Sequence, residues 1–277
     1  MNENNVRNVQ MKILEIMKYI DGLCRSNNIV YYIMGGTALG AVRHGGFIPW
    51  DDDLDIFMTP DNYLKFKDVF EQQKSDLFIL QEWRVCEEYL EYAKVRMNGT
   101  TFIEHSFKDR KDLHQGIYVD IMILHKCPAN SMRKLKEIYY KSKYVTLYAL
   151  SQRNWKPKNF TQKATLAFLR ILPNKWLVNK AYRTIYQYDS WQDNFQYCYY
   201  ITKASLSQGV FDADMFSEPV DVPFEDTILS GSAKIKEYLA KRYGDYMKLP
   251  TEDQQKYAVH AEIFDVNKGY EAYLAEE

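Results

Sequence analysis

The chain has little of what soft-metal and redox sites are built from. Its 277 residues hold four cysteines and five histidines. The cysteines, Cys24, Cys86, Cys127 and Cys198, are scattered with no CxxC pair, so neither a structural zinc site nor a disulfide framework is expected. No uninterrupted apolar run reaches the roughly 18 residues that a membrane-spanning helix needs. Met1 is followed by Asn, Glu, Asn and Asn, with no apolar core of a secretory signal. These absences read as a cytoplasmic protein with reduced thiols. Long low-complexity tracts are also missing, and a hydrophobic content of 46% argues against disorder. A chain this long can bury one substantial core, or a catalytic domain with a helical companion. One last absence is local: residues 138–188 contain no aspartate or glutamate but ten lysines and arginines, so with a net charge of −1 the remainder carries −11.

Most of the recognisable chemistry lies in residues 35–58, GGTALGAVRHGGFIPWDDDLDIFM. Asp53 and Asp55 stand one residue apart in a β-like run with Leu54, Ile56, Phe57 and Met58. Strand side chains alternate between faces, so both carboxylates project to one side. Like charges held that close raise each other's proton affinity unless a cation lies between them. Oxygen ligands without nearby histidine or cysteine favour Mg2+ or Mn2+, which bind one or two carboxylates together with substrate phosphates. Gly35, Gly36 and Thr37 follow a strand expected over Ile29 to Met34 and open a helix through about Arg43, with Thr37 as its N-cap. Bare glycine backbone and helix-start amides suit an anion, which places a phosphate site beside the metal site.

Other readings of the same residues fail. An EF-hand loop counted from Asp51 would have Ile56 where glycine is required and Asn62 where the bidentate glutamate belongs. A P-loop needs a lysine that GGTALGAV lacks. A solvated acidic loop would not run straight into Ile56-Phe57-Met58.

Along the rest of the chain, apolar residues from Val6 to Asn27 recur at helical spacing. Pro60 starts a second helix through about Glu71, and strands are expected at Leu77 to Gln81, Glu91 to Met97 and Ile117 to Ile123. Residues from about 130 onward are helical by pattern, with Pro128, Pro157, Pro173 and Pro250 as breaks. Gly244 reads as the cap ending a helix over Ile235 to Tyr243. The whole is an α+β arrangement around a mixed sheet.

The segment YYIMGGTALGAVRHGGFIPWDDDLDIFM resembles the signature of LicD-type proteins, the phosphocholine transferase family that includes fukutin and fukutin-related protein, within the nucleotidyltransferase-fold superfamily. YAKVRMNGTTFIE (92–104), GIYVDIMIL (116–124) and YGDYMKLP (243–250) resemble further family segments, while residues 130–220 match little. The resemblance implies a nucleotidyltransferase-like catalytic core in residues 1–127 and a mainly helical, acceptor- or membrane-facing region in 128–277 that also closes the active site. It implies a metal held by Asp53, Asp55 and Asp120, and these three as the catalytic residues. Asp120, inside Ile117–Ile123, independently reads as a lone acid in a buried strand, costly unless paired or metal-bound. Gly35, Gly36, Thr37, Arg43, Lys94, Arg96, Glu225 and Asp245 are its candidate substrate contacts. Trp50 packs under the aspartate loop or meets a quaternary ammonium. His260 stands where the family often has a histidine pair.

The implied reaction moves a phospho-alcohol, phosphocholine first, from a CDP-activated donor (CDP-choline favoured) to a hydroxyl of a lipid-linked glycan such as a teichoic-acid or lipopolysaccharide precursor, releasing CMP. The alternatives are nucleotidyl transfer from an NTP and a catalytically silent glycan-binding relative. Basic charge interleaved with Trp155, Phe160, Phe168 and Trp176 suits peripheral contact with the anionic inner face of the cell membrane through residues 138–188. No nucleic-acid-binding motif accompanies it, so no nucleic-acid partner is expected.

Overall fold

The computed structural model describes residues 3–82, 92–152, 159–172, 174–202, 204–251, 255 and 260–274. Cys86, Glu91, Trp155, Pro157 and Pro173 lie outside them. Helix α1 (Glu3–Ser26) carries Val9, Ile13, Ile16, Met17, Ile20 and Cys24 on one stripe. All six are essentially inaccessible, each worth about 1.5–3 kcal/mol of burial if fully apolar. That stripe lies against the central sheet, touching β4 (Tyr92–Met97) and β6 (Tyr118–Ile123).

The sheet also contains β1 (Tyr32–Ile33), β2 (Asp55–Met58) and β3 (Phe78–Glu82), in the order β1-β2-β6-β4-β3. β2 and β6 run parallel and the other pairs antiparallel, which gives the expected mixed sheet. Alternation sorts the faces: Ile56, Met58, Ala93, Val95, Val119 and Ile121 form an apolar side, whereas Asp55, Lys94, Arg96 and Asp120 occupy the other. The expected strands match to within a residue or two, except that the 29–34 run pairs only at Tyr32–Ile33. Helices α2 (Gly35–His44) and α3 (Pro60–Gln73) flank β2 in sequence, α3 opening with proline in its first turn.

The helical pattern after residue 130 holds through α4 (Met132–Gln152), α5 (Phe160–Ile171) and α6 (Asn174–Tyr186) and then stops. Strand β8 (Phe195–Cys198) pairs with β7 (His125–Pro128) and β9 (Val210–Phe211), so a strand crossing residue 127 finds its partner in the C-terminal part. A hairpin, β10 (Pro219–Phe224) and β11 (Thr227–Ser232), follows. Its prolines and outward-facing residues hid it from periodicity, and it turns on Glu225 at φ 55°. Helix α7 (Ile235–Tyr243) ends at Gly244, as its sequence indicates. β12 (Ala261–Asp265) pairs with β5 (Thr101–Glu104), and a short α8 (Glu271–Leu274) closes the described chain. One continuous core joins α1, the sheet, α4, α6 and α7. Cys24, Cys127 and Cys198 are free and buried within it. Among the described residues no helix is long and apolar enough to cross a membrane.

Candidate active site

The register of three neighbouring strands assembles the centre. Asp55 on β2 stands opposite Asp120 on β6, which stands opposite Lys94 on β4. Adjacent strands lie about 4.8 Å apart, so the three side chains form one row across the polar face. Lys94 is buried, with its Nζ 2.8 Å from Asp120 Oδ1 and 3.8 Å from Glu104 Oε1. The ammonium also lies 3.3 Å from the centre of the Tyr118 ring. Lys94, expected as a phosphate contact, is thus the internal counter-charge of Asp120.

Helix α2 starts directly over this row. Gly35 adopts φ 55°, a left-handed conformation that a side chain would strain, and a Cβ there would lie 3.3 Å from Asp55 Oδ2. A Cβ on Gly36 would stand 2.7 Å from Asp51 Oδ2. The two glycines therefore let two carboxylates come up against a helix N-terminus. Tyr238 on α7 accepts from the Gly35 amide at 2.9 Å, and the Tyr243 hydroxyl lies 3.8 Å from the ideal Gly35 Cβ position. Thr37 is not the N-cap; Met34 is, without a side-chain bond. The Thr37 hydroxyl sits inside the first turn and accepts from the Asp55 amide at 2.8 Å, which fixes where β2 begins. Asp53 precedes that strand in the loop rather than sharing it.

The consecutive acids separate by parity. Asp52 turns away and is 1% exposed. It accepts from the His260 and Ala261 amides and from His260 Nδ1 at 2.9 Å, which holds the loop to the start of β12. His260, tied by that bond and drawn further by Asp53 3.7 Å away, is pushed up to about 10. Asp51, Asp53 and Asp55 face the site. Burial, then Asp53, holds the Asp51 carboxyl well above its ordinary range. Burial pushes Asp53 up to about 6 against the opposing pull of His260. Asp55 is raised well above its range by burial and then by Asp53, Asp120 and Asp51. Burial also raises Asp120, with Lys94 opposing. The site therefore holds more negative charge than its own cations neutralise.

Other candidates lie at varied distances from this row. Arg43 closes α2 and donates to the Tyr246 carbonyl at 3.0 Å, joining the helix to the YGDYM segment. Trp50, half-buried, stands edge-on to His44 at 5.9 Å. Asp245 is exposed in the turn after α7. Arg96 is buried and donates to Gln81 Oε1 and the Gly116 carbonyl, both at 2.7 Å. Glu225 receives the Arg7 guanidinium at 2.6 Å and the Phe47 amide at 3.0 Å. Arg96 and Glu225 are committed to holding the fold around the site rather than pointing at a ligand. Asp51, Asp52 and Tyr238 were not singled out from the sequence. Asp51 and Asp52 stood in plain view in the DDD run, where parity with Asp53 and Asp55 separates them, whereas nothing local marks Tyr238.

The donor set suits a hard cation, since every inward carboxylate is driven toward its neutral form. Asp120 Oδ1 is moreover buried without a well-directed hydrogen bond despite the nearby ammonium. Among the described residues, however, no three His, Cys, Asp or Glu side chains stand arranged as a ready metal cage.

Residues 28–168 match the family described as LicD/FKTN/FKRP, nucleotidyltransferase domain. That is half of the chain, and it contains the whole carboxylate row. The chain belongs to this family. It is on that footing a phosphotransferase. Over 264 residues it is 28% identical to the lipopolysaccharide cholinephosphotransferase LicD of Haemophilus influenzae, covering 92% of this chain and 96% of that one. An uncharacterized Rickettsia prowazekii protein, RP689, is 32% identical over 137 residues, 48% of this chain and 46% of its own length. Human ribitol 5-phosphate transferase FKRP is 43% identical over 42 residues, 15% of this chain and 8% of FKRP.

Proposed function

We propose that this protein transfers a phospho-alcohol, phosphocholine first among them, from a CDP-activated donor to a hydroxyl of a lipid-linked glycan of the cell envelope. The reading is carried by the in-register pair Asp55 and Asp120 beneath a glycine-opened helix start, in a chain that aligns almost end to end with a lipopolysaccharide cholinephosphotransferase. Asp53 and Asp55 would hold Mg2+ or Mn2+, with Asp120 as the third carboxylate. When bound, that cation would offset the charge of the donor pyrophosphate.

The chain's own groups do the rest. The α2 amides of Gly36 and Thr37 orient a phosphate, with the helix dipole favouring the anion, while the Gly35 amide stays on Tyr238. Arg43, at the other end of α2, and Trp50 are the remaining candidate donor contacts, and Asp245 is a candidate on the acceptor side. Lys94 opposes the burial that raises Asp120, and the raised proton affinity of Asp120 suits it to take the proton of the attacking hydroxyl. Tyr238 and Tyr243 stand beside the glycine turn.

The test is CMP release by purified protein with manganese and a panel of CDP-choline, CDP-ethanolamine, CDP-ribitol and CDP-glycerol, with and without glycan acceptor. CMP release that rises with acceptor supports the reading and names the alcohol. Pyrophosphate release from an NTP with no CMP from any donor would replace it with nucleotidyl transfer. Binding of glycan without turnover of either donor class would leave a silent relative.

A further inference from the structure

Helix α5 is apolar on two sides. Leu166 and Leu169 are buried toward α4, the helix on which α5 packs. On the opposite side Phe160, Ala164, Phe168 and Ile171 recur every three or four residues and so share a face. Phe160, Phe168 and Ile171 are 83%, 62% and 82% exposed. Trp176, in the first turn of α6 and five residues on from Ile171, is 61% exposed. Lys163, Lys175, Lys180 and Arg183 are all exposed on these two helices, with Lys180 Nζ 5.2 Å from the centre of the Trp176 ring.

Large apolar groups gathered in water mark a surface that something covers. Charge selects what. Residues 138–188 carry ten bases and no acid, so two copies meeting through this face would bring like charges together. A nucleic acid would answer the charge but leave phenylalanine and isoleucine without an apolar partner. An anionic bilayer answers both, with acyl chains for the apolar row and headgroups for tryptophan and lysine.

We propose that the outer face of α5 and the first turn of α6 seat this protein on an anionic membrane leaflet, with Phe160, Phe168 and Ile171 at the acyl boundary and Trp176 at headgroup level. This docking stands on the surface alone and is independent of which group the active site transfers.

The experiment is vesicle flotation of the full chain with phosphatidylcholine alone and with about 30% phosphatidylglycerol added, each at low and high salt. Two variants accompany the parent: Phe160→Ser/Phe168→Ser/Ile171→Ser, and Lys163→Gln/Lys175→Gln/Lys180→Gln/Arg183→Gln. All seven side chains are exposed, so thermal midpoints are expected to stay at the parent value. The parent should bind the anionic vesicles at least about tenfold better than the neutral ones, and each variant should lose at least about tenfold. The loss from the charge variant should shrink in high salt, and that from the apolar variant should persist. Equal binding to both vesicle types, or undiminished binding by either variant, overturns the proposal. So does a parent that ignores vesicles but forms a dimer which the serine variant dissolves, because a second copy then covers the face.

Discussion

Around β2, β6 and β4 the molecule crowds acids into a half-buried row served by one lysine, whereas along α5 and α6 it spreads bases over an exposed apolar face. In the first region charge lies where water is scarce, so each side chain's state depends on its neighbours and no residue can change alone. In the second, charge is screened and each residue acts nearly independently. Opposite charges thus stand in opposite settings, crowded and coupled in the proposed reaction centre and dispersed and independent on the proposed docking face. Substitutions should separate the two by the size and kind of their effects.

The largest effect is expected from Asp55→Asn or Asp120→Asn. Either should reduce transfer by at least about a thousandfold, since one lost charge-stabilising group in such a site costs several kcal/mol of barrier. Far-ultraviolet circular dichroism should be unchanged; the metal-free midpoint of Asp55→Asn should hold or rise because a crowded charge has gone, whereas that of Asp120→Asn should fall because buried Lys94 loses its partner. A retained rate would remove the row from the mechanism.

Much of that row could be read before any coordinates. Asp53, Asp55, Asp120 and the glycine turn announce themselves because strand parity and the demand for bare backbone leave marks on adjacent residues. The roles of Lys94, Arg96 and Glu225 do not. Each looks like a ligand contact in its motif, yet each finds an internal partner on another strand or helix, a pairing fixed by register and not by local sequence. Thr37 shows the same limit: as a helix opener it resembles an N-cap, and only the position of β2 reveals that its hydroxyl serves Asp55. The helices to Tyr186 follow from periodicity, whereas β10 and β12 do not, because short edge strands carry too few alternations.

Lys94→Met should come next. It leaves the buried Asp120 uncompensated, the two side chains being only 5% and 12% exposed, and should cost about 3–5 kcal/mol in chemical denaturation without metal. Millimolar Mn2+ should restore part of this. A neutral substitution would show that the acids relax into water.

Titration gives a smaller and directional effect. Asp53, pushed up to about 6, holds its proton more tightly when folded than when unfolded. Its contribution is therefore complete below about pH 4 and is lost as pH rises through about 6, at most about 3 kcal/mol. His260, up to about 10, adds stability that is present below 6.5 and lost toward 10. Both slopes have the same sign, so the metal-free midpoint should fall from pH 5 to pH 8.5, and Asp53→Asn should flatten the acidic part of that fall. A midpoint that rises over this interval would contradict the crowding of the row.

The smallest effect belongs to the other region. Lys163→Gln and Lys180→Gln should each move stability by no more than about 0.5 kcal/mol and leave CMP release in detergent-free solution unchanged. Larger changes in urea denaturation would mean that the basic face is coupled to the core.

The most direct measurement is the anomalous difference map of crystals soaked with Mn2+ and CDP-choline. A manganese peak within ligand distance, about 2–2.5 Å, of oxygens from Asp53, Asp55 and Asp120, with the pyrophosphate against the start of α2, is the expected result. Ordered donor with no manganese between these carboxylates, or manganese bound elsewhere, would contradict it.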